Sequence, residues 1–199
     1  MSAAKGIKSL EYLIFTFLSG ISAAILGTLL AYPNLHLDRF ILVLIGVFTL
    51  QAVVAHGIHD LYHGGHRKTY SKRVLKILIA GGLILIAIIG AYLTYSSGWL
   101  VLLFAGAGIA LSFYAKGLLY IEEMFPTAGA LVVLGSYYVQ ASTLSFQVAV
   151  LALCSFFWWY GGIHIYRLDD YGWSQKEKTK GLVLFFIGVL ILAVAIPFI

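Results

Sequence analysis

Between Val74 and Tyr95 the chain reads VLKILIAGGLILIAIIGAYLTY, with Lys76 as its single charged residue. A run of 18 or more residues with few charges is long enough, as a helix, to cross the hydrocarbon core of a bilayer. Similar runs lie on either side of it. Spans are expected at about 12–31, 40–62, 74–95, 99–119, 125–141, 146–166 and 181–198, the fifth being short for a span. The composition agrees. The chain is 61% hydrophobic and 11% charged, with a mean hydropathy of +0.96, whereas a soluble domain is about 25% charged and about half apolar. Helices and short linkers use up the 199 residues, so one all-α transmembrane domain, 1–199, is expected. Lys5 and Lys8 ahead of the first run resemble the start of a signal peptide. The run is too long for a typical signal and the chain stays hydrophobic after it, so it reads as a retained helix. Cys154 is alone in an apolar run and reads as a packing residue.

The cations sort by side. Lys5, Lys8, Arg67, Lys68, Lys72, Arg73, Lys76, Lys116, Arg167, Lys176, Lys178 and Lys180 fall on one side of seven spans, and only Arg39 on the other. Cytoplasmic loops carry the Lys/Arg excess. The expectation is a plasma-membrane protein of a prokaryote with its N-terminus in the cytoplasm and its C-terminus outside. The net charge of +5 is then a topology signal. It points to anionic lipid headgroups as partners and not to nucleic acid.

The second span ends in His56-Gly57-Ile58-His59-Asp60-Leu61-Tyr62-His63-Gly64-Gly65-His66. At about 100° per residue His56, His59 and His63 share one narrow helix face. Ionisable residues in a spanning segment are costly and default to functional hypotheses, and neutral imidazoles suit Zn, Cu, Fe or Ni. The alternative is a histidine cluster hydrated at the headgroup boundary. A second polar cluster, His164, Arg167, Asp169 and Asp170, ends the sixth span on the same side, and both clusters are expected to line one cytoplasm-facing cavity.

The stretch Gly129-Ala130-Leu131-Val132-Val133-Leu134-Gly135-Ser136-Tyr137-Tyr138-Val139-Gln140 resembles the G-P-L-x-V-x-G-x-Y-Y-V-Q stretch in the fifth helix of the UbiA-type intramembrane prenyltransferases, especially the menaquinone-pathway branch that prenylates dihydroxynaphthoate. Gly98-Trp99, Phe113-Tyr114 and Glu122-Glu123 are similar to family positions as well. The resemblance runs through the whole chain and implies a UbiA-like helical bundle. It also implies prenyl transfer from an isoprenoid diphosphate to an aromatic, lipid or quinone-type acceptor.

The departures fall at the family's catalytic motifs. Where the family has N-D-x-x-D-x-x-x-D, whose carboxylates hold Mg²⁺, Ala55 stands at the Asn and His56, His59 and His63 at the three Asp. Where it has N-N-x-x-D-x-x-x-D, Gly161 and Gly162 stand at the two Asn, Ile165 at the first Asp and Asp169 at the second. Lys176-Glu177-Lys178-Thr179 loosely matches a family G-K-x-T. The family bundle usually has nine helices, and seven are read here. The resemblance assigns catalysis to Asp169, Asp170, Arg67, Lys68, Lys116 and Arg167, with Arg73 as a further cation, and substrate binding to Tyr114, Tyr138, Gln140 and Lys178. The candidate metal ligands are His56, His59, His63, Asp60, His66 and His164.

Two function classes follow. One is a prenyltransferase using Mg²⁺. The other is a diverged protein of the same scaffold that holds Zn, Fe or Cu, or a cofactor such as haem, through its histidines. A di-iron oxygenase is a third, weaker match. His59-x-x-x-His63-x-x-His66 is similar to one histidine box of the desaturases, which need several. His36 lies on the opposite side and is expected to take no part.

Overall fold

The computed structural model describes residues 20–63, 70–111, 113–114, 124–166 and 175–195. Among the described residues the regular structure is helical throughout, with no strand. The elements are α1 (Gly20–Leu29), then α2 (Leu37–Phe48), a π-helical segment (Thr49–Ala55) and α3 (His56–His63), which together form one continuous rod. They are followed by α4 (Lys72–Ser97), α5 (Leu100–Leu111), α6 (Phe125–Ala141), α7 (Phe146–Tyr166) and α8 (Gln175–Ala195).

Local chemistry sets the ends. The Ser71 hydroxyl accepts from the Val74 N–H and caps α4. Gly98, at φ +118°, ends that helix in a conformation open to glycine, and its N–H closes back on the Thr94 carbonyl. Pro126 sits in the first turn of α6, where a missing N–H costs nothing. The bounds of α6 and α7 coincide with those expected from hydropathy. α8 begins six residues before the expected 181, because Gln175, Lys176, Glu177 and Lys178 are good helix formers that a hydropathy window discounts.

Two helices, Leu37–Tyr62 and Lys72–Ser97, are long and apolar enough to cross a membrane. Each has 26 residues, about 39 Å of helix. The other described helices supply shorter apolar runs, among them Leu100–Leu111 and Phe146–Gly162.

Successive helices pack antiparallel. Tyr92 donates to the Asp38 carboxylate at 2.9 Å near one end of the α2–α4 pair, and Gly57 meets Ile79 near the other. Gly135 lies against Phe104 of α5, Gly129 against Trp159 of α7, and Gly188 of α8 against Trp158. Small residues at these crossings let backbones and flat aromatic rings come close, as in helix packing without a strong hydrophobic drive. α1 touches both sides of the array. Gly20 lies on the Gln51 side chain, Gly27 on Val133 and Ser136 of α6, and Ala23 shares a buried cluster with Val133, Val148 and Ala152.

Candidate functional site

The π segment opens the site. An α-helix bonds each N–H to the carbonyl four residues back; here the His56 N–H is directed to Gln51 O, five back. The same carbonyl accepts from the His56 ring through Nδ1. A carbonyl only accepts, so Nδ1 carries the proton and Nε2 is left as the basic nitrogen of the neutral ring. Gln51 is the single amide side chain in this rod.

On α3 the apolar and polar faces oppose each other. Ile58 and Leu61 pack with Val54, Ile79 and Ile86, joined by Phe113 just beyond α5. They point roughly 100° or more away from Asp60 and His56 around the helix. The contact with α4 thus turns His56 and Asp60 away from α4. Both are nonetheless buried, at 2% and 7% exposure. His59 is half-buried, and Tyr114, next to Phe113, is exposed at this same end.

His164 occupies the last turn of α7 at 3% exposure. Its ring lies 4.9 Å from that of Tyr160, and Lys180 Nζ of α8 sits 5.6 Å from the centre of the same Tyr160 ring. With helices alternating in direction, His164 and Lys180 belong to the same end of the array as His56. α3 packs chiefly on α4, however, and α7 on α6 and α8, while α1 reaches both.

Gly161, at the position of a family Asn, has no room for any side chain. A Cβ there would lie 2.5 Å from the Gly181 carbonyl oxygen and 2.8 Å from the Phe185 nitrogen. The close approach of α8 to α7 therefore holds this position to glycine.

Tyr138 and Gln140 lie elsewhere. Gln140 is 2% exposed, and its Oε1 accepts from the His36 N–H at 2.7 Å. The neighbouring Val139 carbonyl accepts from Ser97 Oγ at 2.7 Å and from the Arg39 guanidinium at 3.0 Å. Tyr138 is buried against Phe104 and Gly98. His36 precedes the rod that carries His56, about twenty residues or roughly 30 Å away along its axis. Tyr138 and Gln140 thus tie helix ends at the far end of the bundle and are not brought to the histidines. Gln140→Leu is expected to cost about 0.5–1.5 kcal/mol by removing the hydrogen bond to the His36 N–H. A lowered melting temperature with unchanged ligand binding at the histidine end would check it.

Arg67, Lys68, Lys116, Arg167, Asp169, Asp170 and His66, and the side chains of His63 and Lys178, lie outside the described residues. Among the described residues, no three His, Cys, Asp or Glu side chains come together as a metal-binding group. No protein-family model matches the chain, and no curated protein or solved structure shows significant similarity to it.

Proposed function

We propose that the chain is an integral membrane protein, a seven-span bundle of the UbiA type. In this reading it binds an isoprenoid diphosphate at the end of the bundle marked by His56 and His164 and passes the prenyl group to an aromatic or lipid acceptor. The observation that carries the functional part is the burial of His56 and Asp60. Two ionisable side chains at 2% and 7% exposure end a long apolar rod, and His56 stands at the first Asp position of the motif that holds magnesium and diphosphate in the resembling family. Ionisable residues inside a spanning segment are costly and point to function by default. The spanning part is supported by α4, which leaves Ile77, Ile84 and Ile88 more than 60% exposed. A soluble monomer rarely shows so continuous an apolar face.

The described donors do not fit Mg²⁺. That ion asks for near-octahedral oxygen, and Asp60 is the one carboxylate described at this end. The anionic head is instead met by His56 through the Nε2–H of its protonated ring, by His59 and by the Lys180 ammonium, and the apolar tail runs among the helices. A second reading, a transition-metal protein, is favoured by one observation. His56 donates through Nδ1 to a backbone carbonyl, the outer-shell bond that orients metal-binding histidines.

The test uses purified protein in detergent with radiolabelled farnesyl diphosphate, dihydroxynaphthoate as acceptor, and either Mg²⁺ or a chelator. Binding that persists in chelator, with release of diphosphate, is the expected result. Absence of both, with tight zinc binding, would leave the second reading in place. The proposed orientation has its own check. Reporters fused after Lys76, Ser97 and Lys178 are expected to read inside, outside and inside, and an outside reading after Lys76 would overturn it.

A further inference from the structure

The outer face of α4 carries a feature that the diphosphate site does not use. Lys72, Arg73 and Lys76 line an open groove of about 530 Å³ whose floor is Ile77 and Ala80. All five side chains are exposed. The floor continues as an exposed stripe at helical spacing through Ile84 and Ile88, and the exposed face ends at Tyr95, 93% exposed. From Lys76 to Tyr95 is roughly 28 Å of helix, close to the roughly 30 Å hydrocarbon core of a bilayer.

We infer that this groove is a binding site for an anionic glycerophospholipid, its phosphate held by Lys72, Arg73 and Lys76 and one acyl chain lying along Ile77, Ala80, Ile84 and Ile88. The inference rests on the membrane reading above. Charge complementarity selects the headgroup, since three cations within five residues meet a phosphate diester and repel a cationic lipid. The continuous apolar floor selects a lipid over free phosphate. The groove is also separate from the proposed substrate site. α4 turns Leu75, Ile79, Gly82 and Ile86 inward towards α3 and the π segment. His56 and Asp60 lie on the side of α3 facing away from α4, so an isoprenoid diphosphate bound there does not reach the groove.

The experiment compares the parent protein with the triple variant K72Q/R73Q/K76Q. Each is purified in an uncharged detergent and offered equal phosphatidylglycerol and phosphatidylcholine, and retained lipid is counted by native mass spectrometry. The parent is expected to retain phosphatidylglycerol preferentially, and the triple variant to lose that preference by about tenfold to a hundredfold. Ala80→Trp, which fills the groove and keeps the charges, is expected to lower retention too, and serves if the triple variant fails to fold. Equal phosphatidylglycerol retention by parent and variants overturns the inference. So does displacement of the lipid by millimolar sodium diphosphate, which would make the groove a diphosphate site. Carbonate washing of the membranes separates the two levels. Release of the parent protein by the wash sinks the membrane reading itself, whereas a protein that stays in the pellet without lipid preference sinks only the groove.

Discussion

Gly161→Val is expected to lower the melting temperature of the purified protein by about 5–10 °C. At this crossing the α7 and α8 backbones touch, and a Cβ on residue 161 would meet the Gly181 carbonyl oxygen and the Phe185 nitrogen, both under 3 Å. A flexible side chain in the way can swing aside, but backbone can only move with its helix. Overpacking of this kind costs about 1–3 kcal/mol, and the upper part of that range applies where backbone is the obstacle. Each kcal/mol shifts the midpoint by about 2–4 °C in a chain of this size. The same reasoning sets a control. Gly81 and Gly106 are exposed, and a Cβ on either meets nothing within 4 Å. Gly81→Ala and Gly106→Ala are expected to be neutral or to stabilise by up to about 1 kcal/mol, through better helix propensity. A Gly161→Val protein that melts with the parent would mean that α7 and α8 do not cross here.

The double variant His56→Ala with His59→Ala is expected to lose isoprenoid diphosphate affinity by about tenfold to a hundredfold, and the pH profile gives the sign that matters. In the proposed reading the imidazoles meet an anion. Affinity for farnesyl diphosphate then rises as pH falls, because protonation gives each imidazole a positive charge and a second N–H. The double variant flattens the profile. In the metal reading the sign reverses, because protonation removes the lone pair that a metal needs, so zinc affinity falls over the same range. Measuring both ligands from pH 5.5 to 8 on parent and double variant separates the readings. A flat farnesyl diphosphate profile in the parent, with zinc binding abolished by the double variant, would reject the prenyltransferase reading. Loss of neither ligand would remove the histidines from the site altogether.

Much of the fold was legible because hydropathy is a local sum. Phe125–Ala141 and Phe146–Tyr166 end where apolar runs meet Pro126, Ser142 and Tyr166, and a reader of the sequence finds those ends unaided. The face shared by His56 and His59 was legible for a similar reason, since helical period alone decides it. The π segment was not. Whether a helix takes in one extra residue depends on what packs against it, and here Gly20 of α1 lies on the Gln51 side chain. The surroundings of Gln140 and Tyr138 were not legible for the converse reason. Their stretch looks like a substrate-lining helix, but their partners are His36 and Gly98, which lie far along the chain.

The sequence by itself determined that the chain is helical, where most of its helices run, and that its histidines cluster at the end of one of them. Hydrophobic periodicity and end-capping chemistry act between residues near in sequence, so they can be read in order along the chain. Only the tertiary structure decided which nitrogen of His56 carries its proton, that Gln140 and Tyr138 hold the opposite end of the bundle, and that Gly161 must stay a glycine. Each of these depends on how helices pack. The π segment formed beneath His56, the His36 N–H reaches Gln140 across about a hundred residues, and the backbone of α8 fills the space a side chain at 161 would need.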